Sequence, residues 1–402
     1  MAKRKKKPGS GGFGKNKSVR GNTTEEPEII DRTRTAETSL KHIDRILSLK
    51  DFGSEEEMQA YFENEILTRQ PEELVRIADE IDPPDELERA NRIIEDLPDG
   101  TTTEELIDAA RKAIRLSPDC LTGWLALAVN EPDDDKALEL TDAGIGFGRE
   151  FFAEKIDSID DELGLWGHIP ARDLLRLMFN KGKLHEERRG EFDEAEAAYR
   201  KCLTWNPRDN QGVRGHLLCA LMVRRRLDEA QDLIDLYPGD NSTAMAWGRA
   251  LLAIVRAMDG TGYEPPESDI SDEYSSPRDY LNSLGPEFDD AKQLVREAAR
   301  RNPFVPLLIM EAGLFELEIP GMFVANGPFD AADYLRKWAI VWQISGLPMV
   351  MMSDAVPKNM KARLNGPGIQ EEFMDIAAQL DEHDGQPWWE ILHGHVEDET
   401  NP

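Results

Sequence analysis

The chain has 402 residues, 40% of them hydrophobic and 32% charged, with a formal net charge of −31; that is apolar content enough for a core, and length for two or three average domains or one extended array. Its three cysteines, Cys120, Cys202 and Cys219, include no Cys-x-x-Cys pair, which argues against a thiolate zinc site or a disulfide framework and reads them as small buried hydrophobes. No run approaches the ~18–20 apolar residues of a membrane span, and no apolar segment follows the basic N-terminus, so a soluble, cytoplasmic chain is expected.

Residues 1–28 combine basic residues with Gly, Ser and Pro and lack apolar periodicity, so they are expected to be disordered. Within them, residues 1–20 hold eight Lys or Arg and no acid, so an overall −31 leaves −39 on the remaining 382 residues. Such a body repels nucleic acid and anionic membrane and attracts basic partners. Residues 29–98 read as an N-terminal helical segment: 31–50 place Leu40, Ile43, Ile46 and Leu47 on one helix face, and shorter patterns at 54–67, 71–80 and 83–96 are separated by Pro71 and by Pro83-Pro84.

A recurring phrase then organises residues 99–353. The clearest copy, 190–207, opens on Gly190 and places Ala195, Tyr199 and Cys202 twelve, eight and five residues before a closing Pro207. The same offsets give Leu106, Ala110, Ala113 and Pro118, and again Ala291, Val295, Ala298 and Pro303. These positions share one helix face, a small residue lets the neighbouring helix approach, and the proline stops the hydrogen-bond ladder. Altered copies carry Ala137, Ala230 and Ala331. Apolar helices at 120–130, 210–225, 242–258 and 304–318 are the expected antiparallel partners, and residues 155–189 the partner of the clearest copy.

Residues 260–286, rich in Gly, Pro, Ser and acid, are expected to be a long mobile loop inserted into the array. Beyond 353 the pattern weakens: residues 354–402 supply one helix at 369–382 and an acidic tail with Trp388 and Trp389.

The clearest copy resembles the second helix of the tetratricopeptide repeat, whose glycine, small, aromatic, small and proline positions correspond to Gly190, Ala195, Tyr199, Cys202 and Pro207. Over roughly residues 85–350 the chain is also similar to bacterial relatives of the suppressor of tumorigenicity seven family. That resemblance rests on Leu203-Thr204-Trp205-Asn206-Pro207-Arg208-Asp209-Asn210-Gln211-Gly212-Val213-Arg214, with shorter pieces at 116–120, 165–167, 247–252, 302–306 and 331–334. After Trp166 the family's arginine-proline-tyrosine-methionine-arginine run is replaced by Pro170-Ala171-Arg172-Asp173. The resemblance implies an all-α, irregular α-solenoid of tetratricopeptide-like helix-turn-helix repeats that acts as a scaffold.

Two readings of the Asp209–Arg214 run stay open. Asp209 or Asn210 caps the next helix while Arg214 pairs with Asp209 or a carbonyl of the previous helix; alternatively Asn210, Gln211 and Arg214 face a concave groove and hold a partner's backbone or carboxylate. The expected partner is a protein, in particular a basic segment of one. Lys3, Arg4, Lys5, Lys6 and Lys7, with Lys15, Lys17 and Arg20, contact RNA, ribosome or anionic lipid, fold back on the acidic body, or serve as a soluble leader. With Phe13 alone for stacking, base-specific recognition is not expected.

No catalytic chemistry is legible. There is no G-x-S-x-G, H-E-x-x-H or P-loop, and Gly144-Ile145-Gly146-Phe147-Gly148 falls at an expected helix end rather than after a strand. His393-Gly394-His395 has the donors for a transition metal but lies in a frayed terminus, as does His383. No cofactor and no metal are expected, and Trp124, Trp166, Trp247, Trp338 and Trp342 are read as core fillers in preference to partial groove residues.

Overall fold

Helices begin where the sequence supplies a cap. Thr102 and Glu105 form a reciprocal box, Thr102 Oγ1 accepting from the Glu105 amide at 3.3 Å and Glu105 Oε2 accepting from the Thr102 amide at 2.9 Å. Asp85, Asp133, Ser242 and Ser276 likewise accept from the amide three residues on, each cap contributing about 1 kcal/mol.

A computed structural model describes residues 32–384 apart from 99, 160–162, 265–273, 310–311, 322, 343–345, 356–363 and 365. The described residues form nineteen α-helices and no strand. In order these are α1 (Arg32–Leu49), α2 (Glu55–Tyr61), α3 (Pro71–Ile81), α4 (Glu86–Glu95), α5 (Thr103–Leu116), α6 (Leu121–Asn130), α7 (Asp134–Phe151), α8 (Ala153–Asp157), α9 (Arg172–Lys183) and α10 (Phe192–Trp205). There follow α11 (Val213–Val223), α12 (Leu227–Leu236), α13 (Thr243–Thr261), α14 (Pro277–Ser283), α15 (Asp289–Arg301), α16 (Val305–Leu308), α17 (Pro328–Trp342), α18 (Gly346–Asp354) and α19 (Ile369–Asp384). A π-helical turn, Leu184–Arg189, prolongs α9.

The helices pack in consecutive pairs: α4 with α5, α6 with α7, α9 with α10, α11 with α12, and α13 with α15. Each pair rests on the next through α5–α6, α7–α9, α10–α11 and α12–α13. The small residues of the phrase sit in these joints: Ala110, Ala113, Ala195, Cys202, Ala230, Ala291, Ala298 and Ala331 are all buried. Pro118 and Pro207 are exposed, Pro303 is buried, and Gly190 closes the π turn at φ 68.

Three successive joints repeat one electrostatic contact. Arginines in the last turns of the first helix of a pair, or just beyond it, reach the acidic first turn of the preceding second helix. Arg188 and Arg189 pair with Asp134 and Asp135 of α7, Arg224 with Asp193 of α10, and Arg256 of α13 with Asp228 of α12 at 2.9 Å. Exposed pairs of this kind stabilise by only about 0–1 kcal/mol, so their weight is in fixing register. Behind them the buried Glu196 carboxylate accepts from Arg200, Arg224 and Arg226 at 2.5–2.7 Å.

Five features depart from the sequence expectations. The main core begins at α4, ahead of residue 99, since Ala90 and Ile94 share it with Leu106 and Ala110, so a break at 98/99 would cut a packed pair; a small separate core of Ile46, Ile66, Leu74 and Ala78 lies under α1 and α3. The 260–286 segment is partly helical: α13 runs to Thr261, and α14, which packs on α18, buries Tyr280 and Leu281. Residues 265–273 of it lie outside the described residues. Gly144 and Gly148 lie inside α7, where Cβ atoms would come within 2.7 Å of Trp124 and 2.9 Å of both Leu121 and Leu174; they permit close helix approach rather than ending a helix.

The expected helix at 304–318 is one α turn followed by a 3₁₀ turn at Ala312–Phe315. Val305, Leu308, Leu314 and Leu317 are buried, so the segment supplies core contacts from two short turns. Finally, α17 packs not only on α16 and α19 but across α11 and α13. Trp247 and Trp342 meet edge to face with centroids 5.7 Å apart, and Thr243 Oγ1 donates to Asp330 Oδ2 at 2.8 Å. The first helices of two pairs are therefore covered by the chain's own later helix. Trp247, Trp338 and Trp342 are fully buried, while Trp124 and Trp166 are partly so.

Candidate functional site

Asp209 takes a left-handed backbone, φ 51, and buries its carboxylate beneath the start of α11. Its Oδ1 accepts from the Val213 amide and its Oδ2 from the Arg214 amide, each at 2.8 Å, so two of the helix's free N–H groups are satisfied by one side chain. The Arg214 guanidinium lies 3.7 Å from Asp209 Oδ2, donates to Asp240 and to the Arg208 carbonyl, and stacks 4.7 Å from the Tyr237 ring. Tyr237 in turn donates to the Pro207 carbonyl at 2.9 Å. Arg214 is thus committed to the joint between α10 and α12, whereas Asn210 is exposed and Gln211 half-buried, its Oε1 3.9 Å from Cys202 Sγ.

Burial pushes the Asp209 carboxyl above its ordinary value of 3.8, against the pull of the Arg214 and Val213 amides and the Arg214 charge. The unfolded carboxyl therefore releases its proton first. The Asp209 contribution to stability is lost as pH rises from 3.8 through the elevated folded value. Asp209→Asn, which does not titrate, is expected to gain relative to wild type across that rise in denaturation curves taken from pH 3 upward; a pH-independent difference would contradict the assignment. Asp209→Ala orphans two amides and is expected to cost about 2 kcal/mol at neutral pH.

A second cluster lies one joint away and carries no mark in the sequence. The π turn after α9 adds a residue to the helical circuit, so Leu184, His185 and Glu186 are buried in succession. His185 Nδ1 meets Glu191 Oε2 at 2.8 Å, and a bond from Arg189, then that from His185, draws the Glu191 carboxyl down to about 2. On the inner side, Glu186 Oε2 accepts from the Tyr199 hydroxyl at 2.5 Å and lies 2.9 Å from His216 Nδ1 in the first turn of α11. The Tyr199 ring is held at Gly182 and tilted against Phe179, which also meets His216 edge to face.

Burial, then the Glu186 charge, drives the Tyr199 hydroxyl far above its ordinary range, so it stays protonated and donates. Glu187 is exposed, yet its carboxylate, that of Glu186 and a His216 ring nitrogen all lie within 4.8 Å of one another. His216 stands 30 residues from Glu186, a separation without motif spacing. The consecutive glutamates 186–187 are the only local signal, a pair too common to mark a site.

The three thiols are buried, and burial raises each, Cys120 to about 12. Asn302, one residue before Pro303, donates to Thr243 Oγ1 and to the Gly327 carbonyl at 3.0 and 3.2 Å. Asn206, at the same place before Pro207, is as deeply buried but its side-chain amide has no hydrogen-bond partner among the described residues. Lys3, Arg4, Lys5, Lys6, Lys7, Trp388, Trp389, His393 and His395 lie outside the described residues, and the side chain of His383 is not described. No helix among the described residues is long and apolar enough to cross a membrane. The chain matches no family model and no curated protein sequence.

Proposed function

We propose that the chain is an irregular tetratricopeptide-like α-solenoid of the kind its sequence resembles, working in the cytoplasm as a non-catalytic scaffold that holds a protein partner through a basic segment. The observation that carries this reading is the ion pair that recurs at three successive joints, Arg188/Arg189 to Asp134/Asp135, Arg224 to Asp193 and Arg256 to Asp228. A like contact repeated at successive joints accords with stacked repeat units, and stacked units offer extended binding surfaces. The charge of −39 outside the first twenty residues favours a basic ligand and speeds its encounter. Because α17 lies across α11 and α13, the groove available to a partner narrows to the earlier pairs.

Affinity recovery of full-length protein from its own cells tests this. A specific protein should be retained after RNase treatment and after deletion of residues 1–20, with recovery falling as salt is raised through the Debye-screening range. If recovery instead requires the basic tail and is abolished by RNase, the tail contacts nucleic acid or ribosome and the scaffold reading is replaced.

A further inference from the structure

We propose that Glu186, Glu187 and His216 bind a divalent transition-metal ion of the zinc class, held between the π turn after α9 and the first turn of α11. Two donors on one such ion, each about 2.0–2.2 Å from it, stand about 3.0–3.5 Å apart. Glu186 Oε2 and His216 Nδ1 are 2.9 Å apart, and a Glu187 oxygen lies within 4.8 Å of both. Small rotations of the exposed Glu187 close the set, and the ion takes the place of the proton between Nδ1 and Oε2, which leaves to solvent.

Charge balance points the same way. Among the other described buried acids, Glu37 is paired with Arg172 and Arg176, Asp173 with Arg176, and Glu196 with three arginines, while Asp209 accepts two backbone amides with the Arg214 guanidinium 3.7 Å away. Glu372 accepts backbone amides instead. Glu186, equally buried, has only the Tyr199 hydroxyl and His216, and no lysine or arginine among the described residues pairs with either Glu186 or Glu187. A buried carboxylate beside a second one is costly unless a cation joins them.

The donor set selects the ion. Imidazole nitrogen with two carboxylates and no thiolate suits zinc or manganese better than calcium or magnesium, which prefer oxygen alone. Three protein donors leave a position for water. Tyr199 is a positioning residue: its hydroxyl donates to Glu186 Oε2 and fixes the carboxylate that faces His216.

The test uses full-length protein freed of metal by a chelator and titrated calorimetrically with zinc chloride, in wild type and in His383→Ala/His393→Ala/His395→Ala, which silences the terminal histidines. Both should take up one equivalent at this site, and zinc should raise the melting temperature of both. Glu187→Gln, whose side chain is exposed and whose metal-free melting temperature should be unchanged, is expected to bind at least about tenfold more weakly; His216→Ala should lose the uptake and the zinc-dependent melting shift. The proposal is overturned if the triple-alanine protein binds no zinc, or if Glu187→Gln binds as wild type does.

Discussion

Gly182→Ala is expected to destabilise the protein by about 3 kcal/mol or more, beyond the usual range for one added methyl. A Cβ at this position would lie 2.1 Å from Cε1, 2.5 Å from Cδ1 and 2.9 Å from Cζ of Tyr199. The ring has no room to yield: it is fully buried, and its hydroxyl is held by Glu186. Relief must come from separating α9 and α10, which opens the core between them. In solvent the same change would favour the helix by about 1 kcal/mol, so the sign of the effect isolates the packing. Urea denaturation in a Tyr199→Leu background supplies the control. There the penalty of Gly182→Ala should largely vanish, a coupling that contacting residues show and distant ones do not. An equal penalty in both backgrounds would remove the ring from the explanation.

Gly164→Ala is expected to cost about 3–4 kcal/mol, from two sources that add. Its φ of +54 lies in the left-handed region, worth about 1–2 kcal/mol against a side chain. Its Cβ would also stand 2.3 Å from the Trp205 carbonyl oxygen and 2.9 Å from Pro207 Cδ, a collision with backbone that overpacking estimates place at about 1–3 kcal/mol. Gly100 separates the two sources, because its φ is +81 while nothing lies within 4 Å of a Cβ there. Gly100→Ala should therefore show the conformational cost alone. Should thermal denaturation give the two variants the same loss, the close crossing of residue 164 over the end of α10 is not what constrains that glycine.

Gly182 and Gly164 also mark how far the sequence could be read. The offsets of Ala195, Tyr199 and Cys202 before Pro207 revealed a helix and its buried face, because a period near 3.6 is written into the spacing. They did not reveal that Tyr199 needs a glycine opposite, since that glycine lies on the preceding helix, separated from the phrase by a π turn no spacing rule anticipates. Asp209 is an intermediate case. Its place before a helix predicted a cap, and the structure shows both carboxylate oxygens used and Arg214 drawn into the same joint. The 260–286 insertion misled because its Gly, Pro and acid outweighed Leu281 and a local cluster of Tyr263, Tyr274 and Tyr280, on a helix that packs on α18 from more than sixty residues later.

By itself the sequence determined what depends on neighbours along the chain: an all-helical fold, the caps and proline stops that divide it, and the small residues where helices approach. It also determined the opposition of a basic tail and an acidic body, because net charge needs no geometry. Only the tertiary structure decided what depends on which helix meets which. It laid α17 across α11 and α13, set the arginines of one pair on the acids of the pair before, and brought Glu186, Glu187 and His216 within 4.8 Å. Such juxtapositions follow from long-range packing of side chains whose local spacing carries no trace of the partner, and so they had to be seen in three dimensions.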